Sequence, residues 1–264
     1  MAEAPNRRPG AGERPPLAAV VFDAGGTLVR LDFEWMAGWL AARGVAVSPA
    51  ALKRAEVEGR RRYDASAGRP VSPGDLHPPL GSRGDVRAYL GGTLDAAGVS
   101  APLLETALEA FIARQRGPGL WTRPVEGARE VLDRLAALGL RLACVSNSDG
   151  RAERHLVDCG VREGLEFVVD SQHVGVEKPD PGIFAIALDR LGVAPAEALY
   201  VGDIRSVDEA GARGAGMRFV LLDPFGDYGA PGAPAIRDIT QLPDWIARTF
   251  AVAAVGRASR RAGG

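Results

Sequence analysis

The feature that most constrains this chain is a spaced series of short, continuous apolar runs. They are LAAVVF (17–22), LRLACV (140–145), ALYVG (198–202) and MRFVLL (217–222), with GLEFVV (164–169) as a fifth. A strand with one wet face would alternate apolar and polar residues. Runs without alternation suit parallel strands covered on both faces. The segments between them have helical period. Val125, Ala128, Val131, Leu132, Leu135 and Leu138 fall on one stripe, and Gly139 is a stop signal. Residues 181–192 repeat the pattern, with Pro181 in the first turn and Gly192 as terminator. Strand–helix–strand alternation predicts an α/β fold, a Rossmann-like doubly wound parallel sheet with right-handed crossovers.

Residues 32–118 break that rhythm. They carry helical patterns at 33–43, 50–64, 84–97 and 101–115 without a comparable strand, divided by a Pro/Gly-rich link at 68–84. The expected organisation is therefore a core of residues 17–31 and 119–248 interrupted by an α-helical insert at 32–118. Residues 1–16 and 249–264 read as tails, and the first sixteen lack the apolar run of a signal peptide. The 32 basic residues nearly balance the 33 acidic ones, giving a net charge of −1 and no electrostatic reason to expect nucleic acid or an anionic membrane. Two cysteines, Cys144 and Cys159, and three scattered histidines suit neither a disulfide framework nor a zinc site. No window has the ~20 apolar residues of a membrane helix. A soluble cytoplasmic protein, monomer or homodimer, is the expectation.

Ligands of open α/β sheets bind beyond the carboxyl ends of the strands, and three runs end there in polar residues. VVFDAGGTL puts Asp23 directly after the first strand. CVSNSDG puts Ser146 and Asn147 after another, and YVGDIRSVD puts Asp203 after a third, with Asp208 five residues on. Lys178, in VEKPDPG, is one of only two lysines in a chain that otherwise uses arginine, the other being Lys53. Singly, each has a bland reading: a strand-end Asp is usually a cap, a Ser-Asn a turn, a lysine solvated. Together they put two carboxylates, a hydroxyl and an ammonium at one edge.

These four motifs, in this order, resemble those of the haloacid dehalogenase superfamily of hydrolases, and the helical insert resembles that family's cap in position and size. The resemblance implies a nucleophilic Asp23 that forms an aspartyl-phosphate. It implies that Ser146, Asn147 and Lys178 face the transferred group with the amides near Ala24 and Gly25, and that Thr27 secures the turn beside that site. It implies Mg²⁺ held by Asp23, the Gly25 carbonyl and Asp203, with Asp208 holding the metal's surroundings or Lys178. The expected activity is Mg²⁺-dependent hydrolysis of a small phosphorylated molecule.

One position departs from the family pattern. Its phosphatases carry a second aspartate two residues after the nucleophile, as general acid, and here that residue is Gly25. General acid help is worth about 10²–10⁴-fold, a severe loss for an alkoxide leaving group and a small one for a carboxylate. Glu34, Glu56, Glu58 and Asp64 are the insert's candidate replacements. DAGGT also resembles the 2-haloacid dehalogenases, which need no metal, although Asp203 argues for Mg²⁺ over halide. A phosphonatase-like enzyme would need Lys53 as its Schiff base, and a non-catalytic binding protein would keep the fold without turnover. Arg54, Arg60, Arg61 and Arg62 read as a solvated face, and Trp35 and Trp39 as anchors of the insert's first helix.

Overall fold

The computed structural model describes residues 14–66 and 85–252. The chain opens with β1 (Pro16–Leu17), β2 (Ala19–Phe22) and β3 (Val29–Leu31), then four helices, α1 (Phe33–Ala41), α2 (Pro49–Ser66), α3 (Val86–Ala96) and α4 (Ala101–Arg116). It continues through β4 (Trp121–Pro124), α5 (Ala128–Ala137), β5 (Arg141–Ser146), α6 (Ala152–Asp158), β6 (Phe167–Asp170) and α7 (Ser171–Val174). Next come α8 (Pro181–Leu191), β7 (Ala198–Gly202), α9 (Ala210–Gly214), β8 (Arg218–Leu222), β9 (Ala235–Ile236), α10 (Leu242–Thr249) and β10 (Ala251–Val252).

The five apolar runs become β2, β5, β6, β7 and β8 of one sheet, in the order β6-β5-β2-β7-β8-β9, with every neighbour parallel. Both faces are covered, as unbroken apolar strands require. Val20 and Phe22 of β2 pack with Leu132 and Leu135 of α5 and Ile246 of α10. Ala19 and Val21 pack on the other face with Ile183 and Phe184 of α8 and Ala212 of α9. The central β2 has β5 on one side and β7 on the other, so strand order reverses around it and a crevice opens at its carboxyl end.

The helical insert has its own core, built on Phe33, Met36, Leu40, Leu52, Leu90 and Phe111. Trp35 and Trp39 lie 5.2 and 5.4 Å from the Phe111 ring and anchor α1, as read from their spacing. The two connections run side by side, because β3 pairs antiparallel with β4. Buried Asp32 ties this junction: it caps α1 by accepting from the Trp35 amide at 3.0 Å, and it pairs with Arg114 at 3.3 Å and Arg123 at 3.2 Å.

Helix α2 docks the insert onto the sheet domain through polar contacts. Arg54 meets the Asp227 carboxylate at 2.5 Å, and Arg61 donates to the Asp227 carbonyl at 2.6 Å. Asp64 accepts from the Tyr228 hydroxyl at 2.6 Å and the Ser206 amide at 2.9 Å.

One boundary differs from the sequence reading. Tails were expected through residue 16 and from 249, yet Pro16 and Leu17 form a parallel ladder with Ala251 and Val252. Buried Leu17 and Phe250 drive it, and Arg14 donates to the Ala247 carbonyl beside them. Residues 1–13, the 68–84 link and residues 253–264 lie outside the described residues. No helix among those described is long and apolar enough to cross a membrane.

Candidate active site

The site is built at the carboxyl ends of β2, β5 and β7. Asp23 follows β2 directly, Ser146 ends β5, and Asp203 follows β7. Between Asp203 and Asp208 the chain makes a π-helical turn, Arg205–Glu209, a wide turn of the kind often found at functional sites. That turn aims Asp208 back at its own start, where Asp208 Oδ2 accepts from the amides of Asp203 at 3.0 Å and Ile204 at 2.9 Å. Asp208 Oδ1 accepts from Lys178 Nζ at 2.7 Å.

Lys178 is buried and held on three sides. Its Nζ donates to Asp23 Oδ1 at 2.6 Å, to Asp208, and to the Tyr200 hydroxyl at 3.0 Å. Tyr200, inside β7, donates in turn to the Val145 carbonyl at 2.9 Å. Asn147 accepts from the Lys178 amide at 2.7 Å and donates to the Lys178 carbonyl at 2.9 Å, fixing the backbone from which the ammonium projects.

Helix α2 adds a second buried cation. Arg60 Nε lies 3.1 Å from Asp203 Oδ2, off the hydrogen-bonding line, as a charge contact. Its guanidinium also reaches Glu56 at 3.2 Å, and Glu56 accepts from the Tyr89 hydroxyl at 2.6 Å. The buried cluster thus sets four carboxyl groups (Asp23, Asp203, Asp208, Glu56) against two basic side chains (Lys178, Arg60), two more acids than bases.

Burial is the first cause of the titration tendencies of the Asp23 and Asp203 carboxylates. Burial pushes Asp23 up to about 6, although Lys178 opposes it. Burial also pushes Asp203 well above the usual carboxylate range, against the pull of Arg60. Burial weighs against the charge of Lys178, but Asp208 and Asp23 outweigh it and hold the group well above its ordinary value. A divalent cation would offset the excess of acids. The donors fit one: oxygens of Asp23, Asp203 and Asp208 lie within 4.8 Å of one another, and Asp203 Oδ1 is buried with no hydrogen-bond partner. Hard carboxylate oxygens of this kind suit Mg²⁺.

A cavity of about 150 Å³ opens over Asp23, Lys178 and Asp203. Of the residues singled out in the sequence, Ala24, Gly25, Ser146, Asn147 and Asp208 also line it. One expectation is corrected by geometry. Thr27 does not line the cavity: the turn holds it behind, fully buried, where its amide reaches the Ala24 carbonyl at 3.4 Å and it does not face a ligand. Asn147 holds the Lys178 backbone through both ends of its amide and also lines the cavity, with the second hydrogen of its amide nitrogen not used on Lys178. Both oxygens of Asp208 accept protein donors, whereas Asp203 Oδ1 has none, which leaves Asp203 the freer of the two to take a metal.

The insert's candidate acids are engaged elsewhere. Glu34 pairs with Arg30, Glu58 with Arg61 and Arg62, Glu56 with Arg60 and Tyr89, and Asp64 with Tyr228 and Ser206. Lys53 is exposed on α2 and outside the cavity wall, which removes the Schiff-base reading. Sequence reasoning missed Arg60 as a site residue, and it missed the aromatic wall of Tyr63, Tyr89 and Trp121 together with Glu177 and His155. Tyr200 carried a usable signal, since a tyrosine in a fully buried strand needs a partner for its hydroxyl.

Comparison with known proteins fits this architecture. The family model of haloacid dehalogenase-like hydrolases matches residues 17–216. Human "haloacid dehalogenase-like hydrolase domain-containing protein 3" is 33% identical over 222 residues, 80% of this chain and 84% of the relative. The mouse protein of that name is 40% identical over 133 residues, covering 50% of this chain and 51% of the relative. A phosphoserine phosphatase from Thermus thermophilus is 37% identical over 131 residues, covering 49% and 51%. For the mouse and Thermus proteins, the match therefore spans about half of the relative's length. Among solved structures, a dehalogenase with an intermediate complex shares the fold, with a TM-score of 0.57 at 22% identity, covering 88% of this chain and 97% of the other.

Proposed function

Because this chain belongs to the haloacid dehalogenase-like hydrolase family, we propose that it is a Mg²⁺-supported phosphohydrolase that works through an aspartyl-phosphate on Asp23. The observation that carries this reading is the buried cluster around Lys178, with two more acids than bases beneath a cavity of small-molecule size. Relatives named as phosphatases, including the Thermus protein, support phosphorus as the centre attacked.

Asp23 and Asp203 would hold the metal, with the Gly25 carbonyl beside them. When bound, Mg²⁺ would neutralise charge on the transferring phosphoryl group. Asp23 attacks phosphorus, and the bond to the leaving oxygen breaks. Lys178 then offers its positive charge to the phosphoryl oxygens, held in position by Asp208, Tyr200 and Asn147. Ser146 and the amides at Ala24 and Gly25 face the same group. Water hydrolyses the aspartyl-phosphate in the second step, and the helical insert acts as a cap that keeps bulk water out during the first.

One observation favours a second reading. Arg60 already places a positive charge on Asp203, so the site holds a partial neutralisation that needs no metal, as displacement of halide from a carbon centre would permit. The experiment that separates the two is hydrolysis of acetyl phosphate and of 2-chloropropionate, each with Mg²⁺, with chelator and with Asp23→Asn. The phosphohydrolase account expects phosphate release that needs both Mg²⁺ and Asp23, and no halide release. Chelator-resistant halide release would establish the second reading. Mg²⁺ binding without turnover of either compound would leave a binding protein.

A further inference from the structure

Position 25, two residues after the attacking carboxylate, has no side chain, and the space a side chain would enter is taken by an indole. A Cβ on Gly25 would lie 3.2 Å from Trp121 Cδ1 and 3.3 Å from Trp121 Nε1. Trp121 sits at the start of β4, where the chain returns from the insert, and it continues into an aromatic wall. Its ring centroid is 6.0 Å from that of Tyr89, and the Tyr89 ring is 6.3 Å from Tyr63, edge to face. All three line the cavity above Asp23. The rings are tilted to one another, by 44° between Trp121 and Tyr89 and by 88° between Tyr89 and Tyr63, and the proton donors among them are weak. Burial pushes the Tyr63 and Tyr89 phenols above their ordinary value, and Tyr89 is already donating to Glu56.

Resting on the phosphohydrolase reading above, we propose that the substrates are aryl phosphates, whose phenol-type oxygen departs as an anion against the Tyr63–Tyr89–Trp121 wall. In the first step the Asp23 carboxylate forms a bond to phosphorus. The P–O(aryl) bond breaks, its electron pair stays on the phenolate oxygen, and the phenolate takes its proton from water after leaving the site. A phenol has a pKa of about 10, so this departure needs no acid, whereas an alkoxide with a pKa of about 16 would. The cavity of about 150 Å³ is similar in size to an engineered one that admits benzene, which limits the substituent on the phosphoryl group to about one small ring. Planar rings also pack on aromatic side chains in the offset or edge-on arrangements this wall offers.

The test uses the whole protein with Mg²⁺ and three probes: acetyl phosphate, phenyl phosphate and benzyl phosphate. Benzyl phosphate keeps the ring and replaces the phenolate by an alkoxide. The expected result is a similar KM for the two aromatic esters and a kcat at least about 100-fold higher for phenyl phosphate, the factor a missing acid costs. Trp121→Leu should raise KM about tenfold for both aromatic esters and raise it less for acetyl phosphate, and Trp121→Phe, which keeps a ring, should recover most of that difference. Equal kcat values for phenyl and benzyl phosphate would overturn the proposal, and Glu177→Gln and His155→Gln would then identify the donor. Turnover of acetyl phosphate without turnover of phenyl phosphate, or a Trp121→Leu variant with unchanged KM, would overturn it while leaving the phosphohydrolase reading intact. Absence of Asp23-dependent turnover on all three probes would remove both.

Discussion

Gly25 and Gly26 are adjacent, yet the structure asks different things of them. Gly26 has φ +77°, a left-handed conformation that costs a residue with a Cβ about 1–2 kcal/mol. A Cβ there would also lie 2.0 Å from Asp203 Oδ2, which forces the carboxylate to move. Gly25 has no such backbone demand, and its only close neighbour is the Trp121 ring. Gly26→Ala should therefore lower stability by more than about 2 kcal/mol and reduce turnover at least about 100-fold through the displaced Asp203. Gly25→Ala should keep most of its activity, since the indole has to give by only a few tenths of an ångström. Denaturant unfolding and kcat on one phosphate ester check both, and equal effects of the two substitutions would contradict this assignment.

At the scale of elements, α2 holds the insert to the sheet domain by polar contacts and by Val57, which is buried with the sheet's residues, while most apolar residues of the insert face its own core. Tyr228 links the two parts: its hydroxyl donates to Asp64 of α2 and accepts from the Arg205 amide at 3.0 Å. Tyr228→Phe removes both bonds and should weaken docking by about 1–2 kcal/mol, since the Asp64 carboxylate loses one of its two donors and keeps the Ser206 amide. Amide exchange should then speed up along Pro49–Ser66 while Arg141–Ser146 stays protected; uniform acceleration would mean that the two parts unfold as one unit.

This scale also separates what the sequence could tell from what it could not. Unbroken apolar runs announce doubly covered parallel strands whatever they pack against, so LAAVVF and ALYVG were legible. So were Asp23 and Asp203, because the ends of such strands face the crevice, and Lys178, a rare lysine just before the proline-started α8. Arg60 was not: its neighbours on α2 are solvated arginines, and only docking of that helix over Asp203 separates it from Arg61 and Arg62. Trp121 was hidden for the same reason, since its contact with Gly25 joins residues 96 apart. The short ladders at β1–β10 and β9 carry too few residues to leave a period in the sequence.

For the whole molecule, the excess of buried acids links metal binding to stability. A cation that binds only the folded chain stabilises it by about 2.7 kcal/mol at a hundredfold excess over its Kd, which for a chain of this size corresponds to roughly 5–10 °C in Tm. Mg²⁺ should raise the melting temperature by that order relative to chelator, and Asp203→Asn should remove most of the rise. A Tm indifferent to Mg²⁺ would argue that Arg60 alone satisfies Asp203. The claim on which the rest depends is that Asp23 becomes phosphorylated. Acid-quenching the protein milliseconds after mixing with acetyl phosphate and Mg²⁺, followed by peptide mass mapping, tests it directly. The account predicts one added phosphoryl group on the peptide containing Asp23, absent in Asp23→Asn and with chelator. Product formation at full rate with that peptide unmodified at every quench time would contradict it.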